Sequence, residues 1–452
     1  MSRSVNRPST PTPSGSLLRR ALAIVGTLAA VLLIAGGWLY ARSEIDSSPR
    51  APSAAATSTH SGPGKADAGL VERGAYLARA GNCLGCHTDR GGAPGAGGRA
   101  IDTPFGTVHA GNLTPDARTG LGAWSADDFW RALHHGRSRD GRMLYPVFPY
   151  NHYTLVTRED SDAMFAYLQS LAPVDRANTP HALRWPYNTQ LALAVWRALY
   201  FRPGNQAPDT TRDAAWNRGA YLVRGLGHCG ACHSTRNALG ASDLLDLSGG
   251  IIPMQAWYAP SLAASDEAGV ARWRREQVVQ LLRTGRTEGA STLGPMAEVV
   301  LHSTQHLSES DLQAMAVFLQ ALPHAGQPAR PAPAAETVVP ASLAQRGAFV
   351  YEEHCAQCHG ARGQGITGAY PALAGNRAVT MPVTANLVQV VVHGAFPPST
   401  AGNPRPFGMP PFALTLSDAD VAAVLTHIRT SWGNRAGTVS ELDVARQRSF
   451  ER

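Results

Sequence analysis

Cysteine and histidine recur in one arrangement three times: Cys83-Leu-Gly-Cys86-His87, Cys229-Gly-Ala-Cys232-His233 and Cys355-Ala-Gln-Cys358-His359. These strings use all six cysteines of the chain. Two thiols separated by two residues share one helical turn, so both can add to the vinyl groups of a single porphyrin. The imidazole that follows then faces the iron from the same side. C-x-x-C-H is the attachment pattern for c-type haem. The reading is three covalently bound haem c groups, with His87, His233 and His359 as iron ligands. Other uses of the cysteines fit less well. A zinc site needs a second pair close by, and these pairs lie far apart. A redox dithiol or a disulfide framework gives no reason for a histidine after every pair.

The opposite face of each iron decides what the haem does. A methionine there raises the potential and closes the iron to substrate, whereas an open face admits oxygen or peroxide. The third region offers Met409, in Phe407-Gly-Met-Pro-Pro-Phe. The second offers Met296, in Gly294-Pro-Met-Ala-Glu, with Met254 as a competitor that lies too early. In the first, alignment puts Phe148 of Tyr145-Pro-Val-Phe-Pro-Tyr150 where a methionine is wanted. Met143 five residues earlier is the first candidate. His152 or an open, water-bound iron are the alternatives, and Met164 reads as a helix-face core residue. His109, His134, His135, His228, His302, His306 and His354 show no repeated spacing suited to a further metal.

Related elements surround each string. Arg73-Gly-Ala-Tyr76, Arg218-Gly-Ala-Tyr221 and Arg346-Gly-Ala-Phe349 precede the three strings. Asp128 to Gly136, Gln277 to Gly285 and Leu387 to Gly394 follow them as helices. A last helix opens at a cap-like Thr157, Ser308 or Ser417, with apolar residues at i, i+3 and i+4, as in Met164, Tyr167 and Leu168. The glycine of each Arg-Gly-Ala start is read as letting the first and last helices cross closely. The unit is helix, attachment string, loop, helix, loop, helix, which is the layout of class I cytochrome c domains. The fold class expected is all-α: three tandem class I cytochrome c domains, at 67–190, 210–325 and 341–435, after an N-terminal transmembrane helix. A Pro/Ala linker occupies 326–340 and a polar tail 436–452, whose sequence carries no readable signal. The connecting segment 191–209, around Trp196, is too short to span a bilayer. It reads as a buried inter-domain helix or an interfacial docking surface.

The transmembrane reading rests on 21–40, an uncharged run of about 30 Å if helical. Arginines in 1–20 put that end in the cytoplasm, and 41–66 reads as a flexible tether. A cleaved signal peptide is the alternative. The length of 452 residues suits about three domains. The net charge is +7 without a Lys/Arg run, which gives no reason to invoke nucleic acid.

The chain resembles the three-haem cytochrome c subunits of membrane-associated periplasmic dehydrogenases. The stretches that carry the resemblance run from Thr103 to Asp116, Gly227 to Asn237, Met296 to Leu307 and Tyr370 to Asn376. The resemblance implies an electron path from a catalytic subunit to ubiquinone or a terminal oxidase, on the periplasmic side of a bacterial inner membrane. The catalytic partner in this family is a quinoprotein alcohol dehydrogenase, a flavoprotein acting on gluconate, sorbitol or fructose, or a molybdopterin hydroxylase acting on aldehydes or nicotinate-like heterocycles. The alcohol branch carries methionine where Phe148 stands. That variant, with Gly225-Leu-Gly-His-Cys229 and Arg236-Asn-Ala-Leu-Gly240, is more similar to the molybdenum branch. Dinucleotide, P-loop and nucleophile-elbow fingerprints are missing, so substrate chemistry is expected on another chain. Two rivals stand beside this reading: a haem enzyme acting on peroxide at an open first iron, and a free-standing donor to an oxidase.

Overall fold

The computed structural model describes residues 67–243, 246–322 and 338–449, with isolated positions between 20 and 37. Each unit is built on a crossing between its first helix and a late one. In the first unit these are α1 (Ala68–Ala80) and, beyond α2 (Ala126–His135), α3 (Arg158–Gln169). A connecting helix α4 (Gln190–Tyr200) leads to the second unit, which holds α5 (Ala214–Ala220), α6 (Arg275–Thr284), α7 (Pro295–His302) and α8 (Glu309–Gln320). The third holds α9 (Ala341–His354), α10 (Ala385–His393), α11 (Asp418–Thr430) and α12 (Glu441–Ser449).

The crossings explain the repeated glycines. A Cβ on Gly74, Gly219 or Gly347 would run into the carbonyl oxygen of Ala163 on α3, Ala314 on α8 or Ala423 on α11. Only a hydrogen at that position lets the two backbones touch. The preceding arginine then reaches the start of that same helix. Thr157, Ser308 and Ser417 cap those helices by accepting from the backbone N–H of Asp160, Asp311 and Asp420. The three aspartates pair with Arg73 (2.5 Å), Arg218 (2.7 Å) and Arg346 (2.8 Å).

The all-α expectation is corrected. The loops after the attachment strings zip into small antiparallel sheets. The largest joins β1 (Ala100–Thr103), β2 (Gly106–His109) and β3 (Ala182–Leu183) in the order β1-β2-β3. Two-stranded pairs join β4 (Gly250–Ile251) to β5 (Tyr258–Ala259) and β6 (Arg286–Thr287) to β7 (Ala290–Ser291). Loops this long hold backbone donors that no helix satisfies, and short ladders supply the partners. The transmembrane helix is also corrected. Residues 21–40 lie almost wholly outside the described residues. Among the described residues no helix is long and apolar enough to cross a membrane. The longest, α9, has 14 residues, against about 20 for a bilayer core. Segments 1–19 and 41–66, and most of 326–340, also lie outside the described residues.

The first two units share one hydrophobic core, in which Leu77, Met164 and Leu168 pack with Leu222, Leu226, Met315 and Phe318. A reciprocal clasp reinforces it. The Tyr76 hydroxyl donates to Asp311 of the second unit, and the Tyr221 hydroxyl donates to Asp160 of the first, both at 2.6 Å. The third unit keeps its own core around Val388, Val421 and Leu425, and its counterpart of those tyrosines, Phe349, is 65% exposed. Polar contacts join it to the second unit. The Asn386 amide pairs with both backbone groups of Tyr258 at 2.8 Å, and the Arg377 guanidinium donates to Gly269 O at 2.6 Å.

Helix α4 covers part of the connecting segment 191–209. It buries Leu193 and Arg197 and exposes Leu191, Val195 and Leu199. The tail of 436–452 is more than polar filler: α12 packs Val444 into the third core, and Arg448 donates to Ala413 O and Leu416 O at 2.9 and 2.8 Å.

Candidate haem-binding sites

Each attachment string forms a single helical turn, at Cys83–Cys86, Gly230–His233 and Ala356–His359. The N–H of His87, His233 and His359 closes the turn on the carbonyl of the string's first cysteine, at 3.0, 2.9 and 2.9 Å. The six thiols form no disulfide. Burial pushes Cys83 and Cys229 up to about 12 and Cys355 up to about 11. Reactive dithiols need the opposite shift, so disulfide exchange is a poor use of these pairs.

The three histidines share one geometry. Nδ1 of His87 donates to Gly111 O at 2.7 Å, that of His233 to Pro260 O at 2.7 Å and that of His359 to Pro371 O at 2.9 Å. A carbonyl can only accept, so the proton sits on Nδ1 and Nε2 keeps its lone pair. Metal-ligating histidines are fixed in this way, one nitrogen on a carbonyl and the other free to coordinate. Burial lowers the pKa of all three rings against the opposing pull of those carbonyls, which favours neutral imidazole. Sequence reading missed the carbonyls. A faint signal was there: each acceptor residue stands two before a leucine (Leu113, Leu262 or Leu373) that packs on a core.

Met143, Met296 and Met409 lie in the stretches that follow α2, α6 and α10. A glycine ends each of these helices, and the next residue starts a short antiparallel pairing: Arg137 with Met143, Arg286 with Ser291, Ala395 with Met409. Met409 is therefore clamped on both sides of its peptide, at 2.7 and 3.1 Å from Ala395, and packs against the third unit's core, as Cys355 and Phe412 do. Met296 lies in the first turn of α7, against the core of the first two units. Met143 shares the ladder position of Met409 and is half-buried. Met254 is exposed, and Met164 is buried in the core.

A cavity of about 1480 Å³ opens beside the first string, larger than the ~300–1,000 Å³ of ordinary small-molecule pockets. Cys83, Cys86 and His87 line it together with Phe148 and His152, and Cys232 and Arg236 of the second unit reach its far side. His152 was a secondary candidate in the sequence. Burial lowers its pKa to about 4, so it is a neutral base at ordinary pH.

The family model of cytochrome c matches residues 71–172 and 344–432. The gluconate 2-dehydrogenase cytochrome c subunit of Pantoea cypripedii is 39% identical over 405 residues, covering 86% of this chain and 91% of that protein. The chain belongs to the cytochrome c subunits of dehydrogenases. The cytochrome c subunit of the quinone-dependent alcohol dehydrogenase of Komagataeibacter europaeus is 36% identical, over 85% of each chain. A nicotinate dehydrogenase chain of Pseudomonas putida is 39% identical over 93% of this chain, which matches 35% of that longer protein.

This cytochrome subunit carries three covalently bound haem c groups, for which the three cysteine pairs are the attachment points. The residues fit the group: thiols outside any disulfide, imidazoles with Nε2 free and, in the first unit, a cavity of adequate size. Haem c supplies an iron that cycles between ferrous and ferric states. Its electron-transfer role needs an external electron source, and the family supplies one as a catalytic dehydrogenase subunit.

Proposed function

We propose that this cytochrome collects electrons from its catalytic partner at the first two units and delivers them through the third to ubiquinone or a terminal oxidase. The observation that carries the proposal is the common tautomer lock on His87, His233 and His359. In this reading those imidazoles ligate iron on one side, and the Met296 and Met409 thioethers close the other side in the second and third units. A soft thioether favours the reduced metal and keeps substrate off the iron.

The spacing of units supports a linear order. The first two attachment strings stand back to back: the His228 ring and the Tyr153 hydroxyl both reach Gly81 O, at 3.3 and 3.0 Å. The third unit grips β5, next to the Pro260 carbonyl that holds His233. We take 67–190, 210–325 and 341–435 as the three haem domains, on the strength of one helix crossing within each. The periplasmic face of the inner membrane is the assigned location, since covalent haem attachment belongs on that side. Phe148 and the long match to the nicotinate dehydrogenase chain favour a molybdopterin partner acting on aldehydes or nitrogen heterocycles.

Affinity purification of the tagged chain tests this. A large catalytic subunit should co-purify, and its substrate should reduce all three haems only while it is present. Purified chain that oxidises an alcohol or aldehyde unaided would refute the relay in favour of the enzyme reading.

A further inference from the structure

The first unit departs from the others on the face opposite its attachment histidine. Phe148 stands five residues beyond the ladder residue Met143, as Met296 stands five beyond Ser291. A phenyl ring offers iron no lone pair. His152 offers one nearby. It lies in the short turn Tyr150–Tyr153 and is 1% exposed. Its Nδ1 donates to Arg224 O at 2.8 Å. Its Nε2 is buried without a hydrogen-bond partner, and the ring lines the cavity that holds Cys83, Cys86 and His87.

A buried ring nitrogen left unsatisfied costs about 1–3 kcal/mol, and coordination would remove that cost. The lock is the one that the three attachment histidines carry. Its acceptor is also unusual. Arg224 belongs to a π-helical segment, Tyr221–Leu226, that continues α5. Such segments break the regular i−4 ladder and recur at functional sites. The second unit thus aims a side chain of the first. Met143 is placed differently: its backbone N–H and carbonyl are both bound by the Gln190 side chain, at 2.8 and 3.2 Å. Its neighbours Arg142 and Leu144 line the cavity, and Met143 does not.

We propose that His152 Nε2 is the second axial ligand of the first haem, so that this iron is held by two imidazoles. The proposal rests on the relay reading and deepens it. Without a thioether the first site has the lowest potential of the three, which makes it the entry point and sets the direction of flow toward Met296 and Met409.

Electron paramagnetic resonance and near-infrared magnetic circular dichroism of the oxidised full-length protein test it. One bis-histidine and two histidine–methionine signals are expected, and the reduced protein should bind no carbon monoxide. His152→Ala, with three haems confirmed by pyridine haemochrome assay, should lose the bis-histidine signal alone and bind one carbon monoxide per chain, reversed by added imidazole. His152→Met should turn that signal into a third methionine band, and it serves if the alanine variant does not fold. Three methionine bands or a high-spin iron in the wild type overturns the proposal. So does an unchanged spectrum in His152→Ala, or loss of the signal in Met143→Ala. Fewer than three haems in the wild type would instead sink the haem reading beneath it.

Discussion

An imidazole with one nitrogen pinned has only one nitrogen left for chemistry, and that makes its role readable. His87, His233 and His359 stand out in the sequence because covalent attachment demands a fixed spacing. Their carbonyl partners do not, because Gly111, Pro260 and Pro371 lie 24, 27 and 12 residues downstream, and a variable separation leaves no motif. The methionines fall between these cases. Their loops start from a constant glycine, but the loop lengths differ, so Met143 and Phe148 both have a claim to the same place. Replacing Met296 or Met409 by alanine should lower the potential of one haem and remove one of the far-red methionine–ferric bands, since a thioether raises the potential. Redox titration followed optically reads both effects. Persistence of the bands in both variants would remove these residues from the ligand set.

Helix crossings were legible where they repeat. The Arg-Gly-Ala starts marked the contact, and the clash that a Cβ on Gly347 would make with the Ala423 carbonyl gives it a cost. Gly347→Ala should destabilise the third unit by about 1–3 kcal/mol, as overpacking does, seen as an earlier transition of that unit in calorimetry. The arginine–aspartate pairs were hidden because their partners lie at opposite ends of each unit, and the clasp was hidden because it links two units. Tyr221→Phe removes a buried bond to a carboxylate and should cost about 1.5–3 kcal/mol. Tyr76→Phe, on a less buried hydroxyl, should cost less. The clasp is also sensitive to acid. Burial pushes the Asp311 carboxyl up, but the bonds from Arg218 and Tyr76 outweigh it and hold its pKa below the ordinary carboxylate value. Its contribution is therefore complete above about pH 4 and disappears as the pH falls through the lowered value. Urea unfolding from pH 7 down to pH 2 should show that loss in the wild type and a shallower one in Asp311→Asn.

Among the described residues two separate hydrophobic cores divide the molecule more sharply than its three attachment strings suggested. Equal repeats pointed to equal units, and nothing in the repeat showed that the first two would merge. Apolar packing merges them, and tyrosine at 76 and 221, against phenylalanine at 349, reinforces the join. A chain ended near residue 325 should therefore fold and carry two haems, with cooperative unfolding by a single transition. A chain ended near residue 205 should bind haem poorly and aggregate, because Leu77 and Met164 lose the partners that cover them. Haem content and size-exclusion profile distinguish these outcomes.

The π-helical segment has a consequence for birth order. Domains fold from the N-terminus as the chain is made, yet the first unit cannot finish itself. The hydroxyl that completes Asp160 comes 61 residues later, and the carbonyl that orients His152 comes 72 residues later. A nascent chain halted before residue 221 lacks both partners, so maturation of the earliest site is expected to wait for its younger neighbour.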